Sequence, residues 1–204
     1  MGLTVHYKLR AGRVRSTVAR QLIVRLRKKA LAQSFADVGP LTIIGGRNAS
    51  PVISAGIEFA LLDDCTRAYA FDLLPARGCE TATFGLAWKR SAWSWYDFCK
   101  TQYASNPRCG GVENFIRGHT ELIHLLDDAR ALGLKIELHD EGKYHELRDV
   151  DALRAEVESW NGMVAAGAGM LKDSTAVGEI TGPIIQYPNF EPLEAKGVSF
   201  LRKS

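Results

Sequence analysis

A histidine at position 119 interrupts an otherwise apolar helical stripe, and a polar loop ending in two glycines leads into that helix. The stretch reads KTQYASNPRCGGVENFIRGHTELIHLL from Lys100 to Leu126. Within it and just beyond, Val112, Phe115, Ile116, His119, Leu122, Ile123, Leu126 and Ala129 recur at steps of three and four. An imidazole on such a face is withdrawn from water and needs partners for its ring nitrogens. His119 is therefore the candidate catalytic residue, as a general base, or else a core histidine satisfied by a strand carbonyl, by Asp140 or by Glu113.

The loop before it offers a second kind of chemistry. A helix N-terminus carries unpaired N–H groups and partial positive charge. Gly110 and Gly111 let a ligand come close, and Lys100 and Arg108 add charge, so a small anionic ligand is expected there. The stretch matches neither of the glycine-rich phosphate-binding patterns. Asn106-Pro107 and Gly110-Gly111 are equally good turn formers, and Glu113 would repel an anion. Trp93, Trp95 and Tyr103 complete the candidate ligand-binding set as aromatic walls, although aromatic side chains also dominate cores.

His139, Asp140, Glu141, His145, Glu146 and Asp149 cluster in LHDEGKYHELRD. If 134–147 is a hairpin, His139 and His145 come from facing strands and could meet. The spacing lacks the tight helical or strand pairs of a metal motif, so no metal ligand is assigned and no cofactor is named.

These groups must be positioned by the elements around them. LTVHYKL at the start alternates as a half-buried strand does, which argues against a transit peptide. A helix capped by Ser16 is expected over 17–34, with Ala19, Leu22, Ile23, Leu26 and Ala30 on its apolar face. Residues 41–46 read as a short strand ending in a double glycine, and 47–64 fit either helix or strand. Strands are expected over 67–74 and 80–88, while 89–99 resists assignment beyond Trp93 and Trp95 sharing a side if it is extended. After the 112–132 helix and the hairpin, Asp149 caps a last helix that Gly162, Gly167 and Gly169 weaken, unless another backbone uses them to come close. The segment TGPIIQYPNFEP is too broken by proline for a helix.

Consecutive strands without helices between them argue against a doubly wound parallel sheet. The expected fold is α+β: a mostly antiparallel sheet with about three main helices on one face. One domain covers 1–173 and an extended C-terminal arm covers 174–204. Cys65, Cys79, Cys99 and Cys109 show no paired spacing and read as reduced thiols of a cytoplasmic protein. No apolar run approaches a membrane span.

Charge separates the functional alternatives. Residues 1–36 hold nine Lys/Arg and no acid, leaving 17 bases against 23 acids in the rest. That strip could bind nucleic acid, or could be neutralised within the fold by the acidic remainder. The leading expectation is a small-ligand-binding or enzymatic domain with its pocket near the 99–119 loop and helix and the 88–103 aromatic segment. The alternatives are a nucleic-acid binder using the basic first helix, and a scaffold or homo-oligomer assembled through the C-terminal arm.

Overall fold

The computed structural model describes residues 3–45, 50, 54, 56–57, 65–174 and 182–201. The double glycine at 45–46 and the ambiguous 47–64 segment therefore fall largely outside the described residues.

Strand β1 (Thr4–Gly12) buries Val5, Tyr7 and Leu9 and turns His6, Lys8 and Arg10 the other way, as its alternation requires. It lies inside an antiparallel sheet of order β2-β4-β5-β6-β1-β7, with β3 also pairing β4. The partners are β2 (Asp37–Val38), β3 (Thr42–Ile44), β4 (Ala68–Leu74), β5 (Ala82–Lys89), β6 (Ala92–Lys100) and β7 (Lys135–Asp140). The α+β expectation holds. The segment over 89–99 that resisted assignment is the β5–β6 hairpin, turned by Arg90 and Ser91, both at positive φ.

Helix α1 (Ser16–Ala30) buries Ala19, Ile23, Leu26 and Ala30. Helix α2 (Gly111–Ala131) buries Phe115, Ile116, His119, Leu122, Ile123, Leu126 and Ala129, the stripe read from the sequence. Lys29 at the end of α1 and Gln33 in the turn after it both reach Asp128 on α2. Ser16 does not cap α1: Arg15 holds the cap position, and the Ser16 hydroxyl is turned to Tyr69 instead.

Strands β5 and β6 pair by backbone only near their hairpin, from Ala87–Ser94 to Lys89–Ala92. Farther along, side chains take over the ladder. The Thr83 N–H donates to Asp97 Oδ2 at 2.6 Å, and the Thr83 carbonyl accepts from Trp95 Nε1 and from the Tyr7 hydroxyl, each at 2.9 Å. Burial pushes the Asp97 carboxyl up despite these donors, and pushes the Tyr7 phenol well up.

The expected 134–147 hairpin is not formed. Strand β7 ends at Asp140, Lys143 sits at φ 59°, and Tyr144–Leu147 is a single helical turn, α3. The Asp140 carboxylate dictates this by accepting the N–H groups of Gly142 and His145. His139 and His145 thus do not face each other; the residue opposite His139 is His6 on β1.

Asp149 caps α4 (Val150–Ser174) as expected, accepting from Asp151 and Ala152. The C-terminal segment differs from the extended arm anticipated: Phe190–Leu201 is a helix, α5. Pro192 stands in its first turn, where backbone N–H groups have no intrahelical partner to lose. Gly197 lets α5 approach α4 at Gly162: a Cβ on Gly197 would overlap the Gly162 carbonyl oxygen. A buried polar chain fixes the connecting segment to the body: Gln102 donates to Asn161, Asn161 to Ser105, and the Ser105 and Tyr187 hydroxyls meet at 3.2 Å. All four cysteines are free, and no described helix is long and apolar enough to cross a membrane.

Gly85 is the point where this packing is least forgiving. A Cβ there would lie 2.7 Å from the Trp95 ring and 2.9 Å from Ala70 Cβ. Gly85→Ala is expected to destabilise the protein by about 1–3 kcal/mol through overpacking. Urea unfolding followed by circular dichroism measures this, and an unchanged midpoint would contradict the packing described.

Candidate functional site

His119 is fully buried, and its two polar partners come from the ends of two strands. Its Nδ1 lies 2.8 Å from Thr101 Oγ1, just past β6, and its Nε2 lies 3.0 Å from Asp140 Oδ1 at the end of β7. The longer 3.4 Å approach of Thr101 Oγ1 to the Leu3 carbonyl makes the ring the better acceptor of the hydroxyl proton. That places the imidazole proton on Nε2, facing Asp140. Nε2 lies off the line of a straight hydrogen bond, so the contact is chiefly electrostatic. Gly142 closes the ring in: a Cβ there would fall 3.0 Å from Nε2. Burial alone would raise the Asp140 pKa. The nearby His119 ring, with the N–H groups of His145 and Gly142, outweighs it and holds the carboxyl below its usual value.

Threonine, histidine and aspartate in a row have the order of a proton relay, but Thr101 and His119 are sealed, at 0% exposure. The arrangement joins β6, α2 and β7. Of the three partners anticipated for His119, Asp140 is the one used; Glu113 pairs with Arg154.

The remaining ligand-binding candidates do not converge on His119. Gly110 and Gly111 adopt φ of 113° and 73° at the start of α2, after a 3-10 turn over Pro107–Cys109. Both positions thus need glycine for the backbone itself. Lys100 is stationed over the Tyr103 ring, and Arg108 is exposed. Tyr103 packs into the small cluster formed by Ala165, Ile184, Tyr187 and Phe190. Trp93 and Trp95 are core residues, 2% and 3% exposed, whose indole N–H groups donate to Val14 and Thr83 carbonyls.

A concave site forms at the other end of the aromatic segment. Val14, Ser16, Thr66, Arg67, Trp88 and Trp93 line a cleft of about 340 Å³ at the head of α1. Tyr69 stacks beneath Trp93 at 5.6 Å, and Trp88 is tilted against Trp93 at 5.4 Å. The Tyr69 and Ser16 hydroxyls meet at 2.6 Å, and Arg67 reaches Ser16 Oγ at 3.2 Å. Arg67 is exposed and Trp88 half-buried, so one cation and one indole stay available to a ligand. Arg13 and Arg15 stand exposed beside the rim, and the first turn of α1 holds no acid. The Arg90–Ser91 turn places Trp88 directly opposite Trp93. Trp88 belongs to the 88–103 aromatic segment expected to wall a pocket, whereas Ser16 and Arg67 come from separate segments with no shared spacing that would join them to it. The described residues form no cluster of three or more metal-ligating side chains.

The Asp140 contact has a pH signature. An acid whose folded pKa is lowered contributes stability above its unfolded value, about 3.9, and loses it as pH falls through the folded value. Asp140→Asn should be less stable than the parent at neutral pH, and the two should converge below about pH 4. His119→Gln should lower stability by about 1–3 kcal/mol, because it leaves buried partners unpaired. Urea titrations across pH measure both, and a difference that persists undiminished in acid would contradict the assignment.

Comparison with protein-family models, curated proteins and solved structures finds no match for this chain.

Proposed function

We propose that the protein binds a small anionic ligand bearing a flat ring, in the cleft at the head of α1. The observation that carries this reading is the convergence of Arg67, Trp88 and Trp93 on one concavity of about 340 Å³, within the size range of small-molecule sites. An indole face receives a flat ring by stacking, and the guanidinium receives a carboxylate or phosphate by paired hydrogen bonds. Arg13 and Arg15 raise the local concentration of anions at the entrance. The reading is one of binding. The described lining offers two hydroxyls, Thr66 and Ser16, the latter engaged by Tyr69 and Arg67, and no acid–base pair to which turnover can be assigned. The free thiols suit a reducing compartment, the cytoplasm.

A second reading rests on a separate observation. Arg13, Arg15, Arg20, Arg25 and Lys28 are exposed and take part in no ion pair among the described residues, whereas Lys29 is held by Asp128. A strip of this kind suits the phosphate backbone of a nucleic acid, with binding that weakens steeply as salt rises. The 182–201 segment packs on its own chain through Tyr187 and α4, which gives the assembly alternative no support.

Tryptophan fluorescence titrations with nucleoside monophosphates and aromatic carboxylates test the cleft. Binding should quench emission in the parent. Arg67→Ala should weaken affinity by about ten-fold, the loss of one charge-assisted contact. Trp88→Ala should remove most of the signal and the affinity. Parent-like binding by both variants would overturn the reading.

A further inference from the structure

Strands β4 and β5 are buried on both faces, but β6, β1 and β7 leave open the face opposite α1 and α2. On β6, β1 and β7 the outward positions form cross-strand rows: Phe98–His6–His139, Tyr96–Lys8–Glu137 and Ser94–Arg10–Lys135. Tyr96 is 56% exposed and Phe98 36%, and His139 is exposed as well. Large aromatics left open on a flat sheet are uncommon unless they meet something. These are held as a set: His6 lies 5.8 Å from Phe98 and 6.1 Å from His139, ring to ring, and the Tyr96 hydroxyl lies 3.5 Å from His6 Nδ1.

The charge around the rings selects the partner. Lys8, Arg10, Lys100 and Lys135 border them. Of the acids on this face, Glu137 is paired with Arg10 at 2.7 Å and Glu141 accepts the Thr4 N–H. The face therefore combines several open aromatic rings with a surplus of cations. That is the chemistry that takes unstacked bases on ring faces and their phosphates on lysine and arginine. A duplex, whose bases are already stacked on each other, cannot use the rings.

We infer that the open β6-β1-β7 face binds single-stranded nucleic acid, with bases stacking on Tyr96, Phe98 and the His6–His139 pair. The face is distinct from the cleft and does not depend on it. Tyr96 and Phe98 can be changed with small effect on the core, because their side chains point away from it.

Fluorescence anisotropy with labelled single strands of about ten nucleotides, oligo-U and oligo-dT, tests the inference. A matched duplex serves as the control, and circular dichroism checks that each variant is folded. The parent should bind at least one of the two single strands and prefer it to the duplex. Tyr96→Ala and Phe98→Ala should each weaken binding about ten-fold or more. Phe98→Tyr, which keeps a ring, should bind as the parent does. Lys8→Ala should lower the salt dependence by about one unit of slope. The inference is overturned by equal binding of duplex and single strand, or by parent-like binding in both alanine variants. It is equally overturned by loss of binding in a folded Phe98→Tyr, or by a parent that binds neither strand and instead self-associates through this face.

Discussion

The contact between His119 and Asp140 is the fixed point of the molecule. Asp140 closes β7, turns the chain through Gly142 into α3, and holds His119 from α2 against Thr101 at the end of β6. Three elements far apart in sequence, β6, α2 and β7, meet at one imidazole. Such a buried polar node is costly unless every member has a partner, so it specifies one relative placement of sheet and helix. Its closure also directs where binding can occur: a ring with no solvent access and Gly142 against it leaves no room for a ligand atom.

With that corner closed, the open chemistry moves to the β5–β6 hairpin and the strand that leaves it. The sequence AWSWYDFCK of β6 sends Trp93, Trp95, Asp97 and Cys99 into the core and Tyr96 and Phe98 to the bare face. The buried set holds β5 apart from β6, because Trp95 and Asp97 bind the Thr83 backbone in place of a strand ladder. The exposed set stays free for a partner. Trp88, across the hairpin from Trp93, belongs to neither and lines the cleft with Arg67. One aromatic segment thus builds a core, a pocket wall and a surface.

Much of this was legible in the sequence where a single periodicity ruled. The α2 stripe, the β1 alternation and the Asp149 cap are local patterns, and they reappear as structure. Asp140 was legible as one of three possible partners for His119, not as the one chosen, because the choice depends on strand register. The hairpin over 134–147 misled because EGKYHEL is polar and alternating, while the capping carboxylate that bends it into α3 lies at its edge. The C-terminal prolines read as helix breakers, but Pro192 falls in a first turn, where position changes its meaning. The cleft was hidden for a different reason: Ser16, Arg67 and Trp88 carry no shared spacing.

Histidine footprinting gives the most direct test of the closed His119 node. The native protein is treated with diethyl pyrocarbonate and each histidine is followed by peptide mass spectrometry. His139 and His124, both exposed, should be modified readily, while His119 should react only when the protein unfolds. Modification of His119 in the native state at a rate like that of His139 would contradict this structure of the site. It would return His119 to the position of an accessible catalytic base.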